Sequence, residues 1–301
     1  MSGLAKVTGT FGSAGPHHDR NERDAPSATT ETIGNAPTRS TNLECSTIGA
    51  VVDIQRLEAT WALQQLRFTA FPAPGTRPED IPRWEALTGE LPDIRQEQPK
   101  ALTVVESGTV EVAAAPMTLT LSINPLQTDV LLQATPRLSG DGGDRVPMAP
   151  AMAYLDSLVA RWVAAGQAVN RIAFACTLRQ EADSKAAAFA LLPRYLPIEL
   201  DPELSDDFSF QLNRPVESTA LPGKRLNRVA QWTIQAIQTL QITFGGGGTT
   251  IVNRSDQPWA LQVVLDASSP AAGVDLDQEQ LESLFRELKE QALTVAEGGM
   301  R

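Results

Sequence analysis

Phe208-Ser-Phe-Gln-Leu-Asn-Arg214 and Leu226-Asn-Arg-Val-Ala-Gln-Trp-Thr-Ile-Gln-Ala236, continuing to Phe244, decide the reading of this chain. Phe208, Phe210 and Leu212 alternate with Ser209, Gln211 and Asn213. Ala230, Trp232, Ile234, Ala236, Leu240, Ile242 and Phe244 likewise share one parity against Gln231, Thr233, Gln235, Gln241 and Thr243. Period two with one apolar and one polar set is the mark of a half-buried strand. The stretch Phe208 to Phe244 is therefore expected to be a β-hairpin.

At the inner ends of this hairpin the same triplet appears twice, Leu212-Asn213-Arg214 and Leu226-Asn227-Arg228. It recurs at Val169-Asn170-Arg171 and Val252-Asn253-Arg254. Eight Asn and twenty Arg in 301 residues give four Asn-Arg pairs, where random order gives roughly half a pair. Asn at a strand end bonds its own backbone or takes a left-handed turn, and Arg adds a planar fork of donors. Two readings follow: Asn ends strands and Arg solvates them, or the triplets form a shared rim that binds an anion or a partner. The second makes Arg171, Asn213, Arg214, Asn227, Arg228 and Arg254 the candidate binding residues.

Outward from the hairpin, alternation marks further strands at Ala59 to Phe71, Ala101 to Val112, Met117 to Ile123, Val130 to Thr135, Arg171 to Leu178 and Trp259 to Leu265. The parity changes once near Gln64-Gln65, which signals a bulge or bend. Asn124-Pro125 reads as a turn, and Trp84 with Leu87 as a short helical anchor. Helical spacing appears from Pro150 (Met152, Leu155, Leu158, Val159, Trp162) to a stop at Gly166. A second helix is expected over Glu181 to Leu192, and a third after the N-cap Asp277 (Leu281, Leu284, Phe285, Leu288, Ala292).

The expected fold is α+β, antiparallel sheets with amphipathic helices packed on one face. Strands followed by one closing helix occur twice, and Trp-Ala-Leu-Gln occurs at Trp61 and at Trp259. This order suggests two pseudo-repeated lobes, residues 50–168 and 169–301; a single larger mixed sheet is the alternative. Residues 1–49, rich in Gly, Ser, Thr, Asn and Pro, lack the apolar periodicity needed to offset ordering entropy and read as a disordered tail.

Composition removes several function classes. A net charge of -11 without a basic stripe argues against nucleic acid as partner. No run of about eighteen apolar residues suggests a membrane helix, and no apolar segment follows Lys6 to make a secretory signal. Two cysteines, Cys45 and Cys176, do not make a disulfide framework, so a reducing, cytoplasmic setting is expected. Both histidines, His17 and His18, fall in the tail, which leaves no histidine for a hydrolytic triad. Gly140 to Asp144 lacks calcium-loop spacing, and Gly245 to Gly248 lacks the Lys and Ser/Thr of a phosphate loop.

No cofactor is expected. The leading expectation is a non-enzymatic interaction protein that binds another protein through the Asn-Arg rim, with the tail as tether. The alternative is a magnesium-dependent enzyme, with Asp201, Glu203, Asp206 and Asp207 as metal ligands and Arg214 and Arg228 neutralising a substrate phosphate. These acids could instead pair with Arg214, Lys224, Arg225 and Arg228 across the open end of the hairpin.

Overall fold

Alternating strands dominate the chain, and their hydrogen bonds must be closed by neighbours. The computed structural model describes residues 52–135, 146–205, 207–237, 240–245, 248–253, 258–273 and 275–299. The expected tail, with His17, His18 and Cys45, lies outside the described residues, as do Gly140 to Asp144, Asp206 and Arg254.

The element order is α1 (Ile54–Thr60), β1 (Ala62–Pro72), α2 (Trp84–Thr88), β2 (Ile94–Gln98), β3 (Thr103–Val112), β4 (Ala115–Ile123), β5 (Thr128–Ala134), α3 (Met148–Ala164), β6 (Val169–Ala182), α4 (Lys185–Phe189), β7 (Phe208–Asn213), β8 (Val216–Glu217), β9 (Arg225–Ala236), β10 (Leu240–Gly245), β11 (Gly248–Asn253), β12 (Trp259–Ser268) and α5 (Gln278–Gly298). Ten strands form one antiparallel sheet in the order β2-β3-β4-β5-β1-β6-β12-β9-β7, with β8 beside β9, so the fold is mixed α+β. Strands from residues 50–168 and from 169–301 share this sheet, joined where β1 pairs with β6. No helix among the described residues is long and apolar enough to cross a membrane.

The pairing of Phe208–Asn213 with the Leu226 strand is present: Phe210 lies opposite Trp232 and Asn213 opposite Val229. The second strand, however, does not run on to Phe244. It runs out of partners, because β7 begins opposite Ile234 and β12 begins opposite Ala236. Residues 240–245 and 248–253 pair with each other as the separate two-stranded sheet β10–β11. The expected helix over Glu181 to Leu192 is also corrected. β12 offers β6 partners as far as Ala182, so the strand continues. The helix is only Lys185–Phe189, capped by the Ser184 hydroxyl, which accepts the Ala187 N–H at 3.1 Å. The expected bulge near Gln64 is present, since the β1–β6 register shifts between Leu63 and Gln65.

The apolar parity of the strands is the core. Leu66 and Phe68 of β1, Phe174 and Leu178 of β6, Trp232 of β9 and Val263 of β12 are all buried. Phe68 meets Trp162 of α3 at 5.3 Å and Phe285 of α5 at 5.4 Å, both edge to face, and Phe174 meets Phe285 at 6.0 Å. One aromatic from α5 thus bridges the two central strands, and burying such a ring contributes about 2 kcal/mol or more. α5 starts at Asp277, whose side chain accepts the Gln280 N–H while Gln280 returns a bond to the Asp277 N–H, a reciprocal cap. It ends at Gly299, φ 71°, where a Cβ would collide with the Tyr195 carbonyl.

Candidate functional site

Strand direction places three of the Asn-Arg triplets at one end of the sheet. β6 begins at Val169, β12 ends at Ser268, β9 begins at Arg225 and β7 ends at Asn213. Ser268 lies opposite Ala173 of β6 and opposite Asn227 of β9. The Arg214 N–H donates to the Arg228 carbonyl at 2.9 Å. Asn213 Nδ2 donates to Asn227 Oδ1 at 3.4 Å, and Asn213 Oδ1 accepts the Arg228 N–H at 3.2 Å. Arg171 Nη2 reaches Ser268 Oγ at 3.4 Å. The fourth triplet contributes Asn253 to the end of β11, and Arg254 is not among the described residues.

Side-chain parity divides these residues. Asn213 lies opposite Val229 and belongs to the parity of Ser209 and Gln211, away from the apolar set. Asn227 and Arg171 fall on the same polar side, each through Ser268. Arg228 shares the parity of Ala230 and Trp232, and its Nη1 donates to Gln291 Oε1 of α5 at 3.3 Å. Half-burial, followed by the charge of Arg214, holds the Arg228 guanidinium below its ordinary pKa. Its Nε is buried without a hydrogen-bond partner among the described residues.

Asp207 is not where the alternative reading needs it. Asp207 immediately precedes β7, whereas Arg214 immediately follows it. At about 3.3 Å per residue, six strand residues separate them by roughly 20 Å. Asp207 therefore cannot pair with Arg214 or Arg228, which corrects the expectation of ion pairs across the hairpin end for this residue. Asp201 and Glu203 are exposed, and Asp201 Oδ1 accepts the Glu203 N–H at 2.9 Å in a local turn. Among the described residues no three His, Cys, Asp or Glu side chains come together to hold a metal ion.

A cluster that the strand pattern alone did not single out adjoins Arg171. Phe71, Arg67 and Thr69 share the polar parity of β1, with Phe71 opposite Arg171, Thr69 opposite both Ala173 and Asp129, and Arg67 opposite Ala175. Asp266 of β12 lies opposite the same Ala175. These residues, with Ala173, line a depression of about 100 Å³. Arg67 Nη2 and Asp266 Oδ2 form an ion pair at 3.2 Å across Ala175. Asp129 accepts the Thr69 hydroxyl and, at 2.7 Å, the Gln127 amide. The Arg171 guanidinium lies 4.5 Å from the Phe71 ring centre, a cation–π stack that fixes its plane. Burial pushes the Asp266 carboxyl up, against the opposing pull of Arg67 and Arg171. The only sequence signal for this cluster was charge within alternating apolar runs, such as Arg67 between Leu66 and Phe68; the partners follow from register.

In comparison with known proteins, the chain matches no family model and no curated protein.

Proposed function

We propose that this protein is a non-enzymatic interaction module that docks another protein at the sheet end formed by Arg171, Asn213, Asn227 and Arg228, with residues 1–49 as a tether. The observation that carries this reading is the convergence of three separated Asn-Arg triplets on one sheet end. Amide and guanidinium groups on adjacent strands offer donors and acceptors at fixed spacing, the requirement of a polar docking rim. The reading takes the protein as cytoplasmic and its helices as one layer, which leaves Arg171, Asn213 and Asn227 on the polar strand parity open to a partner, while Arg228 reaches the same sheet end from the side of α5. It also takes the sheet as two pseudo-repeated halves meeting at β1–β6, because β3-β4-β5-β1 on one side mirrors β7-β9-β12-β6 on the other. The magnesium reading would have to do without Asp207 beside Arg214 and Arg228, since Asp207 lies at the far end of β7.

The test is a quantitative pull-down from native lysate comparing the full chain with Arg214→Ala/Arg228→Ala and with Asn213→Ala/Asn227→Ala. Stability should stay within about 1 kcal/mol for each pair, as for substitutions outside the packed core. A specific partner should be depleted at least tenfold. Equal capture by all three proteins would sink the rim; destabilisation by several kcal/mol would show it to be structural.

A further inference from the structure

The depression beside the rim contains two positive and two negative side chains that are not matched in the same way. Arg67 and Asp266 are joined at 3.2 Å. Arg171 and Asp129 both line the depression, yet form no ion pair with each other. Asp129 is held by neutral donors, the Thr69 hydroxyl and the Gln127 amide, and each carboxylate oxygen keeps a further lone-pair direction. Arg171 is fixed on its flat face by Phe71 and through one nitrogen by Ser268 at 3.4 Å. Its Nε is buried and without a partner among the described residues.

From this arrangement we infer that the depression is a binding site for the dipolar head of an α-amino acid, its carboxylate on Arg171 and its ammonium on Asp129. A single ion fits poorly. A carboxylate alone would face Asp129 as well as Asp266, on which both Arg67 and Arg171 already act, and an ammonium alone would face Arg171. Asp129 and Arg171 stand on β5 and β6, the strands that flank β1, opposite Thr69 and Phe71, so a group carrying both charges can face both from within the depression, and opposite charges pair over about 4 to 6 Å. The size suits a small head group: the lining residue Ala173 presents only a methyl, and about 100 Å³ holds roughly three waters' share of liquid volume. The depression opens onto the polar side of the sheet, so the amino-acid side chain would point outward and would not be selected.

The inference shares Arg171 with the docking rim but does not depend on it. Calorimetric titration of the full chain with glycine, N-acetylglycine and glycinamide separates the possibilities, since the last two each lack one charge. Glycine should bind at least tenfold more tightly than either analogue. Arg171→Gln and Asp129→Asn should each weaken glycine at least tenfold, and Asp129→Asn should bind N-acetylglycine better than the parent does. Asn213→Ala/Asn227→Ala should leave glycine binding unchanged. Absence of glycine binding, equal binding of N-acetylglycine, or loss in the Asn213/Asn227 variant would overturn the assignment. Should Asp129→Asn fail to fold, Arg171→Lys keeps the charge but not the fork; weakened glycine binding at an unaltered melting temperature supports the site, and unchanged binding refutes it.

Discussion

Cys176 illustrates what a single buried side chain commits the fold to. It sits on β6 opposite Leu66 and Leu265, fully enclosed, and burial pushes its thiol up to about 12 from an ordinary 9.0. The folded state therefore holds this proton more tightly than the unfolded chain. Its stabilising effect is fully present below about pH 9 and is lost as the pH rises towards 12, at about 1.4 kcal/mol per pH unit while the unfolded thiol alone ionises. In a Cys45→Ser background, Ellman's reagent should not react with the native protein near neutral pH, and the denaturant midpoint should fall more steeply above pH 9 than in Cys176→Ala. Equal slopes in the two proteins would remove the thiol from the account. The burial of this residue was legible from its parity with Ile172, Phe174 and Leu178. That Arg67 and Asp266 meet across Ala175 was not, because they are 199 residues apart and become neighbours only through two strand registers.

Among the elements, α5 shows how a helix is fixed by more than its apolar stripe. Glu287, 7% exposed, sits beneath the short turn that follows β8. It accepts the Ser218 hydroxyl at 2.7 Å, the Thr219 N–H at 2.6 Å and hydroxyl at 2.9 Å, and the Ala220 N–H at 3.0 Å. Burial alone would raise its pKa, but these donors prevail and hold it below the ordinary carboxylate value. A depressed pKa contributes stability above the unfolded value, which is lost as the pH falls through the folded one. Glu287→Gln should therefore cost about 2 kcal/mol at neutral pH, the scale of hydrogen bonds to a charged group. The gap to the parent should narrow in acid, below about pH 4.5. Urea unfolding at a series of pH values checks both; a gap that does not depend on pH would assign the effect to packing. The stripe Leu281, Leu284, Phe285, Leu288 and its Asp277 cap were readable as a helix. Nothing in the local pattern distinguishes Glu287 from the other charged residues of the helix, because the loop that lies over it comes 69 residues earlier.

At the scale of the whole molecule, the β1–β6 pair is the seam between the two halves of the chain. β1 takes β5 on one side and β6 on the other, and Phe68 of β1 packs on Phe285 from the last helix. A fragment of residues 50–168 would keep β5 beside β1 but leave the β6 edge of that long strand unpaired and Phe68 without Phe285, an exposed edge that a sheet does not tolerate well. It should give no cooperative thermal transition by circular dichroism, and mixing it with residues 169–301 should restore one. A sharp transition in the fragment alone would make the first half an independent domain.

By itself the sequence determined the local geometry: period-two alternation fixed most strands, Asp277 and Gly166 bounded helices, and the parity slip at Gln64-Gln65 marked a bulge. These features are legible because they depend on neighbours within a few residues. Tertiary structure decided where elements stop and who meets whom. β9 ends where its partners end, β6 lengthens to Ala182 because β12 accompanies it, and the triplets share an end because antiparallel pairing turns alternate strands around. The arginines and aspartates of the depression converge for the same reason. Hydrogen-bond register between strands distant in the chain carries information that no local pattern contains.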